Sequence, residues 1–198
     1  AEFFYRAEGL DVGFDPEFIS YDNDSASRLM MKNAANYLQF SLAEAYLSPT
    51  QWQAGTYPSD WQSRMSVIHE GVNTEELAPT DSRPLLLPNG NMIGPHKQVV
   101  TFVSRNLEPY RGYHIFMRAL SQLQAMSPEV EILIIGGDGT SYGSPPPKGT
   151  TWKERFWNEV KGSLRTDKIH FLGRLPYEKF LGVMQRSTVH VYLTYRSS

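Results

Sequence analysis

Apolar and polar positions along the 198 residues fall into two rhythms. In the first, over residues 25 to 47, Leu29, Met30, Ala34, Leu38 and Leu42 recur at helical spacing behind the capping candidates Asp22 and Asp24. This predicts an amphipathic helix passing into a short strand near Ala45. Ser48 followed by Pro49 has the order of an N-cap and a first helical residue, since proline's missing N–H costs nothing in a first turn. A short helix through Trp52 is therefore expected, then a strand from Met65 to His69 that stops at Gly71. Residues 1–20 hold Gly and Pro at short intervals and are assigned no regular structure.

The second rhythm begins at Val99. VVTFV is followed by a helical pattern from His114 to Met126, then EILIIGG, a helical pattern from Trp152 to Leu164, KIHFLG, a short helix from Tyr177 to Arg186, and VHVYLTY. Apolar, mostly β-branched runs separated by helices predict a buried parallel sheet built by right-handed crossovers. The fold class expected is α/β, a Rossmann-like parallel sheet with flanking helices. Between the two rhythms Pro79, Pro84, Pro88, Asn89, Gly90, Asn91, Gly94 and Pro95 crowd together. That stretch reads as an interdomain linker over 79–97, with one α/β portion at 1–78 and another at 98–198.

Composition narrows the possible partners. Lys and Arg nearly balance Asp and Glu, for a net charge of −2, so there is no overall basic field of the kind nucleic acid attracts. Cysteine is absent, which excludes disulfides, thiolate metal sites and cysteine nucleophiles. No apolar run approaches the roughly 18 residues of a membrane span. A cytoplasmic location fits. Peripheral contact with a membrane surface rests on Trp52, Tyr57 and Trp61, for which ordinary packing is the preferred reading.

Ligands of a doubly wound sheet bind at the carboxyl ends of its strands. After VVTFV come Ser104, Arg105, Asn106, Leu107, Glu108, Pro109, Tyr110, Arg111 and Gly112, just ahead of a helix. Two guanidinium groups and a helix N-terminus favour a phosphate there, although a solvated surface pair of arginines has the same spacing. The next exit presents Gly136, Gly137, Asp138 and Gly139, where glycines allow either a close ligand or simply a tight turn. Its spacing is not that of a dinucleotide fingerprint. The third exit presents Gly173, Arg174 and Leu175 before Pro176, with backbone groups placed to read a flat base. His69, His96, His114, His170 and His190 are too scattered for a metal site, and no HExxH, nucleophile elbow or Walker loop occurs.

These segments in this order resemble retaining glycosyltransferases of family 4, which have the GT-B fold of two Rossmann-like domains across a cleft. VVTFVSRNLEPYRGYHIFMRAL resembles the opening of the family's C-terminal domain; LIIGGDGTSYG, HFLGRLPYEKF and VHVYLTY resemble the strands that follow; SVIHEGVNTEEL resembles the end of its N-terminal domain. The resemblance implies an incomplete GT-B unit: residues 1–78 as the tail of the N-terminal, acceptor-side domain, and 98–198 as the first half of the nucleotide-sugar-binding domain. It implies that Arg105 and Arg111 bind the donor diphosphate with backbone contacts from Ser104 and Gly112, Arg111 standing where the family usually has Lys. Gly173, Arg174 and Leu175 would border the base through main-chain contacts, and Gly137 and Asp138 would line the nucleotide pocket.

The implied partners are a nucleoside-diphosphate sugar and an acceptor that is a sugar, lipid or small molecule, with no nucleic acid, no metal and no other cofactor. The family's acidic pair, two Glu seven residues apart, would lie beyond Ser198. No catalytic residue is therefore expected within the chain, which should be inactive by itself. Arg196, Ser197 and Ser198 do not resemble the family's continuation. Two other readings of the residues stay open: a non-catalytic Rossmann-like nucleotide-binding or scaffold module, and a nucleotide-sugar epimerase.

Overall fold

The structure, a computed structural model, describes residues 17, 23–80, 84–141 and 145–194. The loop expected over residues 1–20 (Glu17 apart), the capping candidate Asp22 and the closing Arg196 to Ser198 lie outside the described residues. The chain divides between Val72 and Asn73 into two compact units.

The first unit holds α1 (Asn23–Leu42), β1 (Tyr46–Ser48), α2 (Gln51–Gly55), α3 (Ser59–Gln62) and β2 (Met65–Val67). β1 and β2 pair in parallel, Leu47 opposite Ser66. Aromatic stacking makes the local core: the Phe40 ring lies 3.6 Å from that of Tyr46 and 3.8 Å from that of Trp61, both nearly parallel to it. This reverses the face expected for α1. Phe40 is buried, while Leu38 and Leu42, placed in the core by their spacing, are 66% and 83% exposed. Phe40 is held between the rings of Tyr46 and Trp61, and that stacking sets which side of this part of the helix faces inward. Trp61 is thus a core residue, and Trp52 remains 42% exposed. The cap of α2 also differs from expectation. Thr50, not Ser48, is the N-cap, its hydroxyl accepting from Gln53 N at 3.1 Å, while buried Ser48 closes β1.

The second unit opens with a small antiparallel hairpin, β3 (Leu85–Leu86) and β4 (Met92–Ile93). It lies inside the stretch read as a linker. Pro88, Asn89 and Gly90 make its turn, Gly90 N donating to Leu87 O at 2.9 Å with Gly90 at φ 85°. Leu87 and Ile93 are buried against Val99, Leu133, Ile135 and Val183. Arg186 fastens the following residues by donating to Gly94 O and Lys97 O, both at 2.9 Å. Residues 84–97 are therefore part of this unit's packing. Two-residue strands are too short to show the period-2 alternation that would have revealed them.

The rest of the unit is β5 (Val99–Asn106), α4 (Tyr113–Met126), β6 (Glu131–Gly137), α5 (Trp152–Val160), β7 (Ile169–Gly173), α6 (Tyr177–Arg186) and β8 (Val189–Val191). The four strands form one all-parallel sheet in the order β7-β6-β5-β8. Alternate residues feed opposite faces. Val99, Leu133 and Ile135 meet the hairpin and α6. Phe102 faces α4, its ring 4.7 Å from that of Phe116, and Tyr113 meets Phe156 of α5 edge-on. Layers on both faces explain why β5 and β6 read as continuous apolar runs. The strand order reverses between β5 and β8, the position at which sheets of this kind open a crevice at their carboxyl ends.

Candidate functional site

Three strand exits meet at that edge. β5 leads into a short turn of 3-10 helix, Pro109–Arg111, and then into α4 through Gly112. Gly112 has φ 72°, and a side chain there would strike Leu193, which follows β8. Glycine is thus required twice over, by the left-handed backbone and by the close approach of the β8 exit. Ser104 donates through its hydroxyl to Asn106 O at 2.7 Å and closes the local turn.

Arg105 is exposed and makes no hydrogen bond or ion pair among the described residues. Arg111 lies half-buried on the 3-10 turn, its amide donating to Glu108 O at 3.1 Å. Arg105 is the penultimate residue of β5, and Arg111 lies on the turn between β5 and α4.

The glycines after β6 are explained by packing. A Cβ at Gly136 would lie 2.9 Å from Ser104 O, and one at Gly137 would lie 2.6 Å from Arg174 Nε and 2.8 Å from Asn106 Oδ1. The space above Gly137 is occupied by the chain's own side chains. Asp138 is half exposed and faces Lys153 at 3.6 Å. Gly173, at φ 64°, turns the chain out of β7, and Leu175 packs against the core under α6. Arg174 Nη2 donates to Asn106 Oδ1 at 3.0 Å.

Two residues of this edge were not singled out by motif. Asn106 is 4% exposed and joins two loops, accepting from Arg174 and donating through Nδ2 to Ser141 Oγ at 2.6 Å. Glu108 is fully buried, and its Oε2 accepts from the Ser141 amide at 2.7 Å. Glu108, Ser141, Asn106 and Arg174 form one hydrogen-bonded chain across the exits of β5, β6 and β7. A buried carboxylate is costly without such partners, and this cost is the signal that its position matters. Behind the loop, Tyr113 buries its hydroxyl with no hydrogen-bond partner among the described residues. Burial first, and the charge of Asp138 second, push its phenol above the usual value of 10.0.

At the opposite end of the sheet, His170 Nε2 meets Glu131 Oε2 at 2.8 Å, and Lys168 Nζ meets Glu131 Oε1 at 2.9 Å. His190 bonds Thr101 Oγ1 at 3.1 Å and is held below the usual histidine range by burial. His170 and His190 therefore have structural partners within the sheet. Among the described residues no three His, Asp or Glu converge as a metal site would require.

Residues 1–77 match the profile described as the glycosyl transferase family 4 group. Over 139 residues the chain is 26% identical to D-inositol 3-phosphate glycosyltransferase of Corynebacterium efficiens, covering 68% of this chain and 30% of that protein. Over 84 residues it is 32% identical to the enzyme of the same name from Mycobacterium sp. strain JLS, covering 42% of this chain and 18% of that protein. The chain thus spans less than a third of the length of these relatives. Among solved structures, a glycosyltransferase from Rickettsia africae superposes with a TM-score of 0.55 at 12% identity, over 88% of this chain and 50% of that one. TarM superposes with a TM-score of 0.50 at 9% identity, over 88% of this chain and 29% of that one.

Sheet order, flanking layers and these superpositions define an α/β protein of the GT-B class. Within that class its sequence is similar to the glycosyl transferase family 4 group over residues 1–77 and to the D-inositol 3-phosphate glycosyltransferases over up to 139 residues.

Proposed function

We propose that this chain supplies donor-binding machinery to an enzyme that transfers a sugar from a nucleoside-diphosphate sugar to an acceptor. The observation that carries the reading is Arg105: a guanidinium at the switch-point edge of the sheet, exposed and unspent on any protein group among the described residues. Arg111 adds a second cation from the turn that follows β5. In this reading both neutralise the nucleoside diphosphate as it leaves, acting on charge that grows as the anomeric bond breaks. That task needs no metal. Gly173, Arg174 and Leu175 border the base through their main chain, and Gly137 and Asp138 lie between base and diphosphate.

Support for the donor comes from a TarM structure determined with UDP. The curated relatives are named for a phosphorylated inositol acceptor, and a polar small molecule of that kind is one acceptor class for this protein beside glycans and lipids. Among the described residues no helix is long and apolar enough to cross a membrane. A cytoplasmic enzyme, with exposed Trp52 available for surface contact, is the corresponding location.

The test compares thermal unfolding with UDP, GDP and ADP against the matching monophosphates. A diphosphate should raise the melting temperature more than its monophosphate, and Arg105→Ala should abolish the difference without lowering the unliganded melt. Equal shifts, or none, from a folded chain would instead favour the non-catalytic scaffold.

A further inference from the structure

Arg174 enters the donor reading only through its backbone, yet its side chain runs back over the sheet. The guanidinium lies above Gly137, at the exit of β6, with Nη2 on Asn106 Oδ1 at 3.0 Å at the end of β5. It has left its own strand, β7, and reached across β6. Any nucleotide whose base sits at the β7 exit and whose diphosphate sits at the β5 loop must pass its phosphate chain over this position.

The support beneath the guanidinium is specific. Asn106 is 4% exposed, and its amide is oriented by its own donation to Ser141 Oγ, so Oδ1 is left facing Arg174. Ser141 is in turn held by the buried carboxylate of Glu108. An amide oxygen holds a guanidinium by a neutral acceptor and leaves its full charge uncompensated, where a carboxylate would have cancelled it. Arg174 forms no ion pair among the described residues. The site therefore keeps a positioned cation whose remaining N–H donors are available.

We infer that the Arg174 side chain, poised by Asn106 over Gly137, is a third cation for the phosphates of the donor, and that Asn106 is a positioning residue. This rests on the nucleoside-diphosphate reading of the same site. It assigns to this residue a phosphate contact separate from the main-chain contact with the base, and to the glycine at 137 the role of giving the guanidinium room.

The experiment is calorimetric titration of the 198-residue chain with UDP, UMP and uridine, for the unaltered protein and for Arg174→Ala, Arg174→Lys, Asn106→Asp and Arg105→Ala. Arg174 is exposed, so its variants should keep the unliganded melt. Arg174→Ala should weaken UDP about tenfold, as expected for loss of one charge-assisted contact, and leave uridine unchanged. Arg174→Lys should recover part of the loss. Asn106→Asp should also weaken UDP although Arg174 is still present, because the new carboxylate captures the guanidinium.

If Arg174→Ala binds UDP like the unaltered chain while Arg105→Ala does not, the inference fails and the donor reading stands. Loss of uridine in step with UDP would make Arg174 a base or folding residue and would equally overturn it. If none of the three ligands binds the unaltered chain, the donor reading falls and takes this inference with it.

Discussion

Tyr113 shows what one side chain's environment does to stability. Its hydroxyl is buried and has no hydrogen-bond partner among the described residues, so Tyr113→Phe removes a group that costs desolvation and returns no hydrogen bond. Urea unfolding near neutral pH should show the variant equal to or more stable than the original; a loss beyond about 1 kcal/mol would reveal a bond to this hydroxyl. The phenol is held above 10.0 in the folded chain, chiefly by burial. Its stability contribution is therefore complete below that value and declines as pH rises through it, because the unfolded chain then releases a proton the folded one keeps. Tyr113→Phe should flatten that alkaline decline. Gly112 makes the opposite case. Alanine there meets both a left-handed backbone and Leu193, so Gly112→Ala should lower stability by more than about 1 kcal/mol in the same titration. The arginines of the loop were legible as residue types. That Arg174 reaches to Asn106 was not, since nothing in the spacing of residues 106 and 174 records that two loops meet.

Among the elements, α6 was the most readable, spanning the Tyr177 to Arg186 that its pattern predicts, whereas α5 begins at Trp152 as expected but ends at Val160 instead of Leu164. Thr151 and Glu154 form a reciprocal capping box, each side chain bonded to the other's backbone amide, ahead of an apolar stripe that buries Trp152 and Phe156. Thr151→Ala should cost about 1 kcal/mol, measured by chemical unfolding, with little change in nucleotide binding. A loss of binding without loss of stability would contradict the purely local role. α1 was readable as a helix but not in its orientation. Its leucines carry the periodicity, whereas the choice of face belongs to Phe40 and the rings of Tyr46 and Trp61, which come from other elements. The β3-β4 hairpin shows the same limit, because its turn residues were visible and read as linker while its partner surface on Val99, Leu133 and Val183 was invisible.

For the molecule as a whole, the second unit carries its own four-stranded sheet with layers on both faces. Residues 73–195 produced alone should therefore unfold in one cooperative transition; a non-cooperative melt would show that they need residues 1–72. Much of this fold was determined by sequence alone. The alternation of apolar runs with amphipathic helices specified strands, helices and a parallel sheet, because hydrophobic period and connection length are local quantities. The run from Arg105 to Arg111 and Gly112 was legible for the same reason, since it spans the end of an unmistakable strand and the turn after it. Tertiary structure alone decided the strand order β7-β6-β5-β8, and with it the edge at which three exits converge. It alone joined Glu108, Ser141, Asn106 and Arg174, and put the hairpin into the core. Those features depend on which distant surfaces fit together, and a hydrogen bond between residues 68 positions apart leaves no period in the chain that makes it.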